Sequence, residues 1–294
     1  MRIIQWFFII LVFALTTSCG LVQTAYNNAP AAASWWLDDY FDFTKSQQAL
    51  LKPALHQLHD WHRQQQLPAY VAILQDLQQT MMQEQISAVV ACEAIKQIKT
   101  SFSALQLESI PIVLALAPLL SDQQLQYLQK KLDKRARKWQ DEWMQPSPSE
   151  QRAVRLEKIE DFAEKIYGSL EPSQHLLLKQ DLALAPINPL LTYAEIVRRQ
   201  GDAYQIIATL KNAALTNQSL SAERQYQLVK DGFERLQHSP NKFYAAHADK
   251  VNEHSCNMIA HLHGSTSAKQ KQHASEFMEK YRLQFSALMP AIKP

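Results

Sequence analysis

The sequence predicts an all-α protein, a multi-helix bundle of about ten to eleven helices. Glycine is scarce, with five residues in 294, so β-hairpin turns and glycine-rich phosphate loops have few residues from which to form. Good helix formers, namely Ala, Leu, Gln, Lys and Glu, are abundant throughout the chain. Helix-start patterns also recur before amphipathic stretches, and they locate the individual helices.

Four segments fit the capping box, in which a hydroxyl and a Gln or Glu satisfy free backbone N–H groups: Thr44–Gln47, Ser121–Gln124, Ser147–Glu150 and Ser267–Gln270. Pro148 and Pro172 fit first helical positions, and Gly168 and Gly264 fit helix ends. With the apolar periodicity, these signals predict helices over the following ranges: 44–65, 68–84, 87–107, 110–119, 121–144, 148–167, 172–184, 188–215, 221–237, 240–263 and 267–288.

The predicted helical body covers residues 35–290, either as one domain or as two sub-bundles over 35–145 and 146–290. Its most apolar segment is Ile110–Leu120. Because a membrane-spanning helix needs about 20 apolar residues, this segment is too short to cross a bilayer. It is predicted to form a short buried helix.

The N-terminus combines a basic start with an apolar stretch, Ile3–Leu15, and small residues before Cys19. Residues 1–18 resemble the signal peptide of a bacterial lipoprotein, with Cys19 as the lipid-bearing residue. The match departs from the usual motif at Thr16, where Leu is common. The alternative is an ordinary secretory signal followed by an incidental Cys19.

Gly20 follows the predicted lipidated cysteine. In Gram-negative lipoproteins an Asp at this position favours the inner membrane, so the resemblance implies a protein anchored in the outer membrane and facing the periplasm. Residues 20–34 are small and polar, and they are predicted to form a tether of at most roughly 50 Å, which with Cys19 makes a 19–34 segment.

The charge is nearly balanced, with 30 Lys and Arg against 28 Asp and Glu, which argues against a nucleic-acid partner. Helix 121–144 nevertheless has a basic face: Lys130, Lys131, Lys134, Arg135, Arg137 and Lys138. Its opposite side has an apolar stripe: Leu125, Leu128, Leu132, Ala136, Trp139 and Trp143. The basic face is either a solvated surface or a binding face for an anionic partner such as lipopolysaccharide, peptidoglycan or an acidic protein.

Two cysteines remain after Cys19, at positions 92 and 256. In an oxidising periplasm Cys92 and Cys256 could form a disulfide, and the alternative is two separate buried thiols. Sequence spacing does not decide between the two.

A polar cluster is also predicted near the start of the body: Asp38, Asp39, Asp42, His59, His62 and Arg63. Aspartates beside histidines can bind a metal or transfer protons. The alternative is structural, with the aspartates capping the first helix and pairing with Lys52 or Arg63 while the tryptophans fill the core.

His247, His254 and His261 are spaced by seven residues, with Met258 between the last two. His254 with Met258, or Met258 with His261, could share a copper ion, because a thioether suits Cu(I). The alternative is a histidine stripe at a helix–helix contact. No metal or other cofactor is assigned from these patterns.

Three segments carry a family resemblance: the run Trp35–Thr44, Trp61-His62-Arg63, and Leu67–Tyr70. Together with a tyrosine near Cys19, they resemble an uncharacterised family of proteobacterial lipoproteins. The resemblance implies a helical, periplasm-facing protein of the outer membrane, and it brings no activity. The helix starts are also similar to the Leu-Thr-x-x-Gln motif of the Spy/CpxP periplasmic chaperones: Phe43–Gln47, Leu120–Gln124 and Leu170–Gln174.

Catalytic signatures such as Gly-x-Ser-x-Gly or His-Glu-x-x-His are missing from the sequence. We therefore expect a non-enzymatic lipoprotein that binds an envelope protein or anionic envelope component, with a scaffold or chaperone-like role. The alternative is an envelope protein that binds a metal or small ligand through the Asp/His or His/Met groups.

Overall fold

The computed structural model describes residues 19–215 and 220–290, and within these ranges the chain is helical with no strand. Its α-helices are α1 (Cys19–Asn27), α2 (Ala29–Phe41), α3 (Lys45–Trp61), α4 (Leu67–Met81), α5 (Ala88–Glu108), α6 (Ile110–Leu116), α7 (Asp122–Trp143), α8 (Pro148–Tyr167), α9 (Pro172–Leu184), α10 (Pro189–Leu215), α11 (Ala222–Gln237), α12 (Lys242–Gly264) and α13 (Ala268–Leu288). A π-helical turn, His62–Gln66, joins α3 to α4. The prediction of an all-α bundle is confirmed, whereas the predicted signal peptide, 1–18, lies outside the described residues.

Helices begin at the four predicted capping boxes. All four capping boxes form; at the first, Thr44 Oγ1 accepts from the Gln47 backbone N–H and Gln47 Oε1 accepts from the Thr44 N–H. Pro148 is the first residue of its helix, as predicted. Gly168 ends α8 at a φ of 78°, where residues with a Cβ are strained. These local patterns define helix boundaries because capping acts within one turn.

The predicted tether is wrong. Residues 20–34 form most of α1 and the first part of α2, and Val22 is buried against Leu67 and Leu288. The small residues that suggested a flexible linker include several alanines, which favour helix, and Pro30 lies in the first turn of α2. The folded body therefore includes residues 20–34 instead of starting at residue 35.

Two large apolar clusters form the core, and each draws on both halves of the sequence. One joins α4, α8, α9, α12 and α13, with Leu178 and Ala274 almost fully buried. The other joins α3, α6, α7 and α10 around Leu51. Since α4 of the first half packs extensively on α13 of the second, the chain does not divide at residue 145 into sub-bundles.

Buried glutamines tie pairs of helix starts together. The side chains of Gln47 and Gln124 exchange hydrogen bonds, with Nε2–Oε1 distances of 3.1 and 2.8 Å. Gln174 and Gln270 do the same at 3.0 and 2.8 Å. Each glutamine also accepts the backbone N–H at its own helix start, so the amides have their polar atoms satisfied within the core. The motifs that resemble the Spy/CpxP helix starts thus join α3 to α7 and α9 to α13.

The apolar segment Ile110–Leu120 forms α6 and a 3₁₀ turn, Ala117–Leu119. Ile110 is fully buried and Leu116 nearly so, as predicted for a short core helix. By length and composition alone, the longer stretch Ala88–Leu119 could cross a membrane, a test that core helices also pass. Only 17% of the most apolar 18-residue window in this stretch is buried. Within α5, only Ala91 is buried.

Candidate functional site

The predicted apolar stripe of α7 is mainly buried, and the basic face opposite it divides into two sets. Lys131 and Arg135 turn toward α2. Lys131 Nζ lies 2.6 Å from Asp39 Oδ1, and Arg135 Nη1 donates to Tyr40 Oη at 3.1 Å. These two cations hold α2 against α7, so they are not available to a partner.

The other four cations of the face are exposed, and Lys138 lies 3.9 Å from Glu142. Lys130, Lys134 and Arg137 have no acidic group within 4 Å among the described residues. Because they are spaced by four and three residues, their side chains share one face of α7. We call these three residues the basic stripe.

A groove of about 850 Å³ lies between the first turns of α3 and α7. Lys130 lines it and also begins the basic stripe, so the two features are continuous. Most of the other lining residues carry hydroxyl or amide groups, with two leucines among them: Asp42, Thr44, Ser46, Gln47, Leu50, Leu119, Ser121, Gln123, Gln124, Gln126 and Tyr127.

Some polar groups of the groove are free to bind a ligand. Gln47 and Gln124 are occupied by their mutual hydrogen bonds, whereas Gln123 and Gln126 are exposed and make no side-chain hydrogen bond within the described chain. Leu50 is 51% exposed. Free amides beside apolar carbon and a row of cations suit a ligand with hydroxyl groups, apolar faces and negative charge.

The predicted Asp/His cluster is wrong, because its aspartates and its histidines lie at opposite ends of α3. The aspartates lie at the end of α2, beside the start of α3. Asp38 Oδ1 accepts from the Phe43 backbone N–H at 3.0 Å. Asp39 pairs with Lys131, and Asp42 ends the helix at a φ of 48°. The aspartates therefore have structural roles, as in the alternative. The pairing partner of Asp39 is Lys131 instead of Lys52 or Arg63, and Trp35 is 73% exposed rather than part of the core.

The histidines lie at the far end of α3, about 25 Å away for a helix of 17 residues. His62 Nδ1 lies 2.9 Å from Tyr26 Oη, and His62 Nε2 lies 3.2 Å from Tyr70 Oη. His59 lies against the Tyr26 ring, with ring centroids 4.5 Å apart. Arg63 Nη2 donates to Asn27 Oδ1 at 2.6 Å. This tyrosine–histidine cluster fixes α1 to the π-helical turn and α4, and Tyr26 was missed as a member because it lay in the predicted tether.

Burial, with a smaller contribution from the neighbouring His59, lowers the pKa of His62 to about 4. Burial also raises the pKa of Tyr26 to about 12. His62 is thus neutral at neutral pH, with one ring nitrogen accepting from a tyrosine hydroxyl and the other donating. The cluster has the protonation states that its hydrogen bonds require.

Acidification is expected to weaken the fold through His62. An unfolded histidine takes up a proton near pH 6.5, whereas the folded His62 takes one up only near pH 4. The stability present above pH 6.5 is therefore lost progressively as the pH falls from 6.5 through 4. We expect His62→Gln to remove roughly 2–3 kcal/mol of this pH-dependent change, measured by urea unfolding at several pH values. The exposed His238→Gln serves as control, and equal pH slopes for wild type and His62→Gln would contradict the assignment.

Residues 39–223 match a protein family of unknown function, and this span is more than half of the 294-residue chain. The chain belongs to DUF6279. No curated protein and no solved structure matches it. The DUF6279 match includes α3 to α10, and therefore the groove and the basic stripe, whereas Tyr26 precedes it and α12 follows it.

The histidine stripe of α12 contacts α9 in this DUF6279 protein. His254 Nε2 donates to the Asp181 carbonyl oxygen at 2.7 Å, and His261 Nδ1 lies 3.0 Å from Asp181 Oδ2. Met258 packs against the core. Across the described chain, no three His, Cys, Asp or Glu side chains are grouped so as to hold a metal ion. These contacts correspond to the helix–helix alternative.

Cys92 and Cys256 form a disulfide between α5 and α12, with their Cα atoms 5.3 Å apart. Cys256 is fully buried. Sequence left this pairing open, and the packing of α5 against α12 brings the two residues together.

A buried charge network that the sequence did not predict surrounds Glu195, which is 2% exposed. Its carboxylate accepts from Arg198, Arg199 and Ser239 at 2.7–2.9 Å. Burial raises the pKa of Glu195, but these donors outweigh it and hold the value at about 2. The spacing Glu195, Arg198, Arg199 is a usable signal for an intrahelical ion pair, although it gives no indication of burial.

Proposed function

We propose that this DUF6279 protein is a lipid-anchored protein of the outer membrane that faces the periplasm and binds an anionic envelope glycan without catalysing a reaction. The signal-peptide pattern and Cys19 support the anchor. The groove and the basic stripe support the glycan.

The position of Cys19 supports a short connection between lipid and protein. Cys19 is the first residue of α1, and Val22 and Tyr26 of this helix pack on α4 and α13. A lipid on Cys19 would therefore hold the bundle close to the membrane surface rather than at the end of a flexible linker.

The observation that carries the proposed binding is the continuity of the groove with three unpaired cations. Exposed amides and leucine side chains line the groove, and these groups bind the hydroxyls and apolar faces of sugars. Lys130, Lys134 and Arg137 lead away from it along α7, spanning roughly 10 Å for seven residues of helix. Phosphate or carboxylate groups spaced along a glycan could bind them in turn.

The test compares wild type with Lys130→Gln/Lys134→Gln/Arg137→Gln, and separately with Gln126→Glu in the groove. Binding to lipopolysaccharide and to soluble peptidoglycan fragments is measured with the membrane-extracted protein. We expect each variant to lower affinity about tenfold or more, because multiple charge-assisted contacts are lost or opposed. The mass of the same extracted protein should show acyl chains on Cys19.

The matched control is Lys242→Gln/Lys250→Gln/Lys269→Gln, which removes the same charge from exposed positions on other helices. Unchanged affinity in both test variants, or a loss equal to that of the control, would refute the glycan site. An unmodified Cys19 in the membrane-extracted protein would refute the anchor independently.

A further inference from the structure

The last residue of α7 carries an indole ring that two cations share. Trp143 is 4% exposed, and two side chains of α8 lie over its ring. The Arg155 guanidinium carbon lies 4.5 Å from the ring centroid, and Lys158 Nζ lies 4.7 Å from it. Both distances are shorter than the limit of about 6 Å for a cation–π contact. Because the two residues are three apart on one helix, their side chains leave α8 on the same face.

This pair of cations has no counter-charge. Within the part of the chain that the structure describes, neither Arg155 nor Lys158 has a carboxylate within 4 Å or makes a side-chain hydrogen bond. Burial lowers the pKa of Arg155. By contrast, a hydrogen-bonded carboxylate raises the pKa of Arg198, Arg235 and Arg282. Since partly buried charges are normally paired, Arg155 lacks the kind of partner that those arginines have.

The indole N–H of Trp143 is a third donor without an acceptor. Trp143 Nε1 is buried and has no hydrogen-bond partner among the described residues. Most buried N–H groups in native proteins donate to a protein group or to ordered water. Nε1 belongs to the ring that Arg155 and Lys158 contact. An N–H, a guanidinium group and an ammonium group therefore lie around one ring, and all three need an acceptor.

We propose that Trp143, Arg155 and Lys158 bind a phosphate group. One phosphate has enough oxygens to accept two parallel bonds from the guanidinium group and further bonds from the ammonium group and the indole N–H. A carboxylate has only two oxygens, and a guanidinium group can occupy both. The charge of the phosphate also offsets the repulsion between two cations that share one ring. Because Lys158 is exposed and Arg155 is half-buried, the ligand reaches the site from solvent.

The phosphate site is separate from the basic stripe. Trp143 belongs to the buried apolar side of α7, whereas the basic stripe lies on the opposite side of the same helix. The phosphate also joins two helices, because the indole belongs to α7 and both cations belong to α8. Binding at this site therefore does not depend on the groove or on the proposed glycan.

The test uses the full-length protein labelled with fluorinated tryptophan and follows fluorine NMR during titration with inorganic phosphate. The resonance of Trp143 is identified as the one that is missing from Trp143→Phe. We expect this resonance to shift with phosphate until the site is saturated, whereas chloride at the same ionic strength leaves it in place. Arg155→Gln/Lys158→Gln should raise the apparent Kd about tenfold or more, because the charge-assisted bonds to phosphate are lost.

The matched control is Lys179→Gln/Arg224→Gln, which removes one lysine and one arginine from exposed positions on α9 and α11. It should leave the Kd unchanged, and circular dichroism verifies that both double variants fold. A Trp143 resonance that does not respond to phosphate, or that responds equally in Arg155→Gln/Lys158→Gln, would overturn the proposal. Loss of the response in the triple variant of the basic stripe would also overturn it, because the phosphate would then bind at that stripe.

A second titration identifies the source of the phosphate group. Its probe is glycerophosphoglycerol, the soluble headgroup of phosphatidylglycerol. Tighter binding of this probe than of inorganic phosphate assigns the site to a lipid headgroup, and weaker binding assigns it to free phosphate. If neither compound shifts the Trp143 resonance, the site does not bind phosphate.

Discussion

Replacing Glu195 by Ala is expected to lower the free energy of unfolding by about 3–5 kcal/mol, because it leaves partly buried cations without their counter-charge. The Glu195 carboxylate is the shared acceptor of Arg198, Arg199 and Ser239. Its removal takes away the shared acceptor of two guanidinium groups, those of Arg198 and Arg199, between α10, α11 and the start of α12. Arg198 would retain Asp202, whose nearest oxygen lies 3.5 Å away, but this contact is longer than the one it loses.

The measurement is urea-induced unfolding at neutral pH, with the midpoint and slope compared between variants. Glu279→Gln is the matched control, since Glu279 also pairs with an arginine three residues later but lies at the surface. We expect the control to leave the midpoint unchanged. A Glu195→Ala midpoint equal to that of the wild type would show that water or Asp202 replaces the lost carboxylate.

The second large effect concerns the disulfide. The double variant Cys92→Ala/Cys256→Ala is expected to lose about 4–5 kcal/mol of stability, since the bridge closes a loop of 164 residues in the unfolded chain. Because α5 has so little buried surface of its own, its contact with α12 should loosen first. Hydrogen exchange in α5 would therefore increase more than in α13.

Adding a reductant to the wild type should reproduce the effect, whereas the double variant should not respond to it. The control for local disturbance of the packing is Ala91→Ser, which puts a hydroxyl at a buried position in the same turn of α5 and keeps the bridge. Identical unfolding midpoints for oxidised wild type and the double variant would contradict the expected stabilisation.

Local sequence patterns predicted the helices accurately wherever one turn contains the whole signal. The capping boxes at Thr44, Ser121, Ser147 and Ser267 form as predicted, and α7 buries the apolar side that its periodicity indicated. Residues 20–34 were instead predicted to be a tether, although they contain alanines and a proline in the first turn of α2. What no local pattern indicates is that Val22 of α1 packs on Leu67 and Leu288, which are far away in the sequence.

The candidate site was predictable only in part, for the same reason. The basic face of α7 is evident from its spacing, but the loss of Lys131 and Arg135 to α2 depends on how two helices pack. The predicted Asp/His cluster relied on closeness in sequence. The 17 residues of α3 separate its two halves, and Tyr26 and Tyr70 become the partners of His62 instead.

By itself, the sequence determined the all-α class, the helix starts and the amphipathic faces, because capping, propensity and periodicity act over a few residues. Only the tertiary structure decided that Cys92 meets Cys256 and that Glu195 becomes a buried acceptor. Each of these depends on which distant helices become neighbours. That choice is made by the combined burial of many side chains, and no short stretch of the chain encodes it.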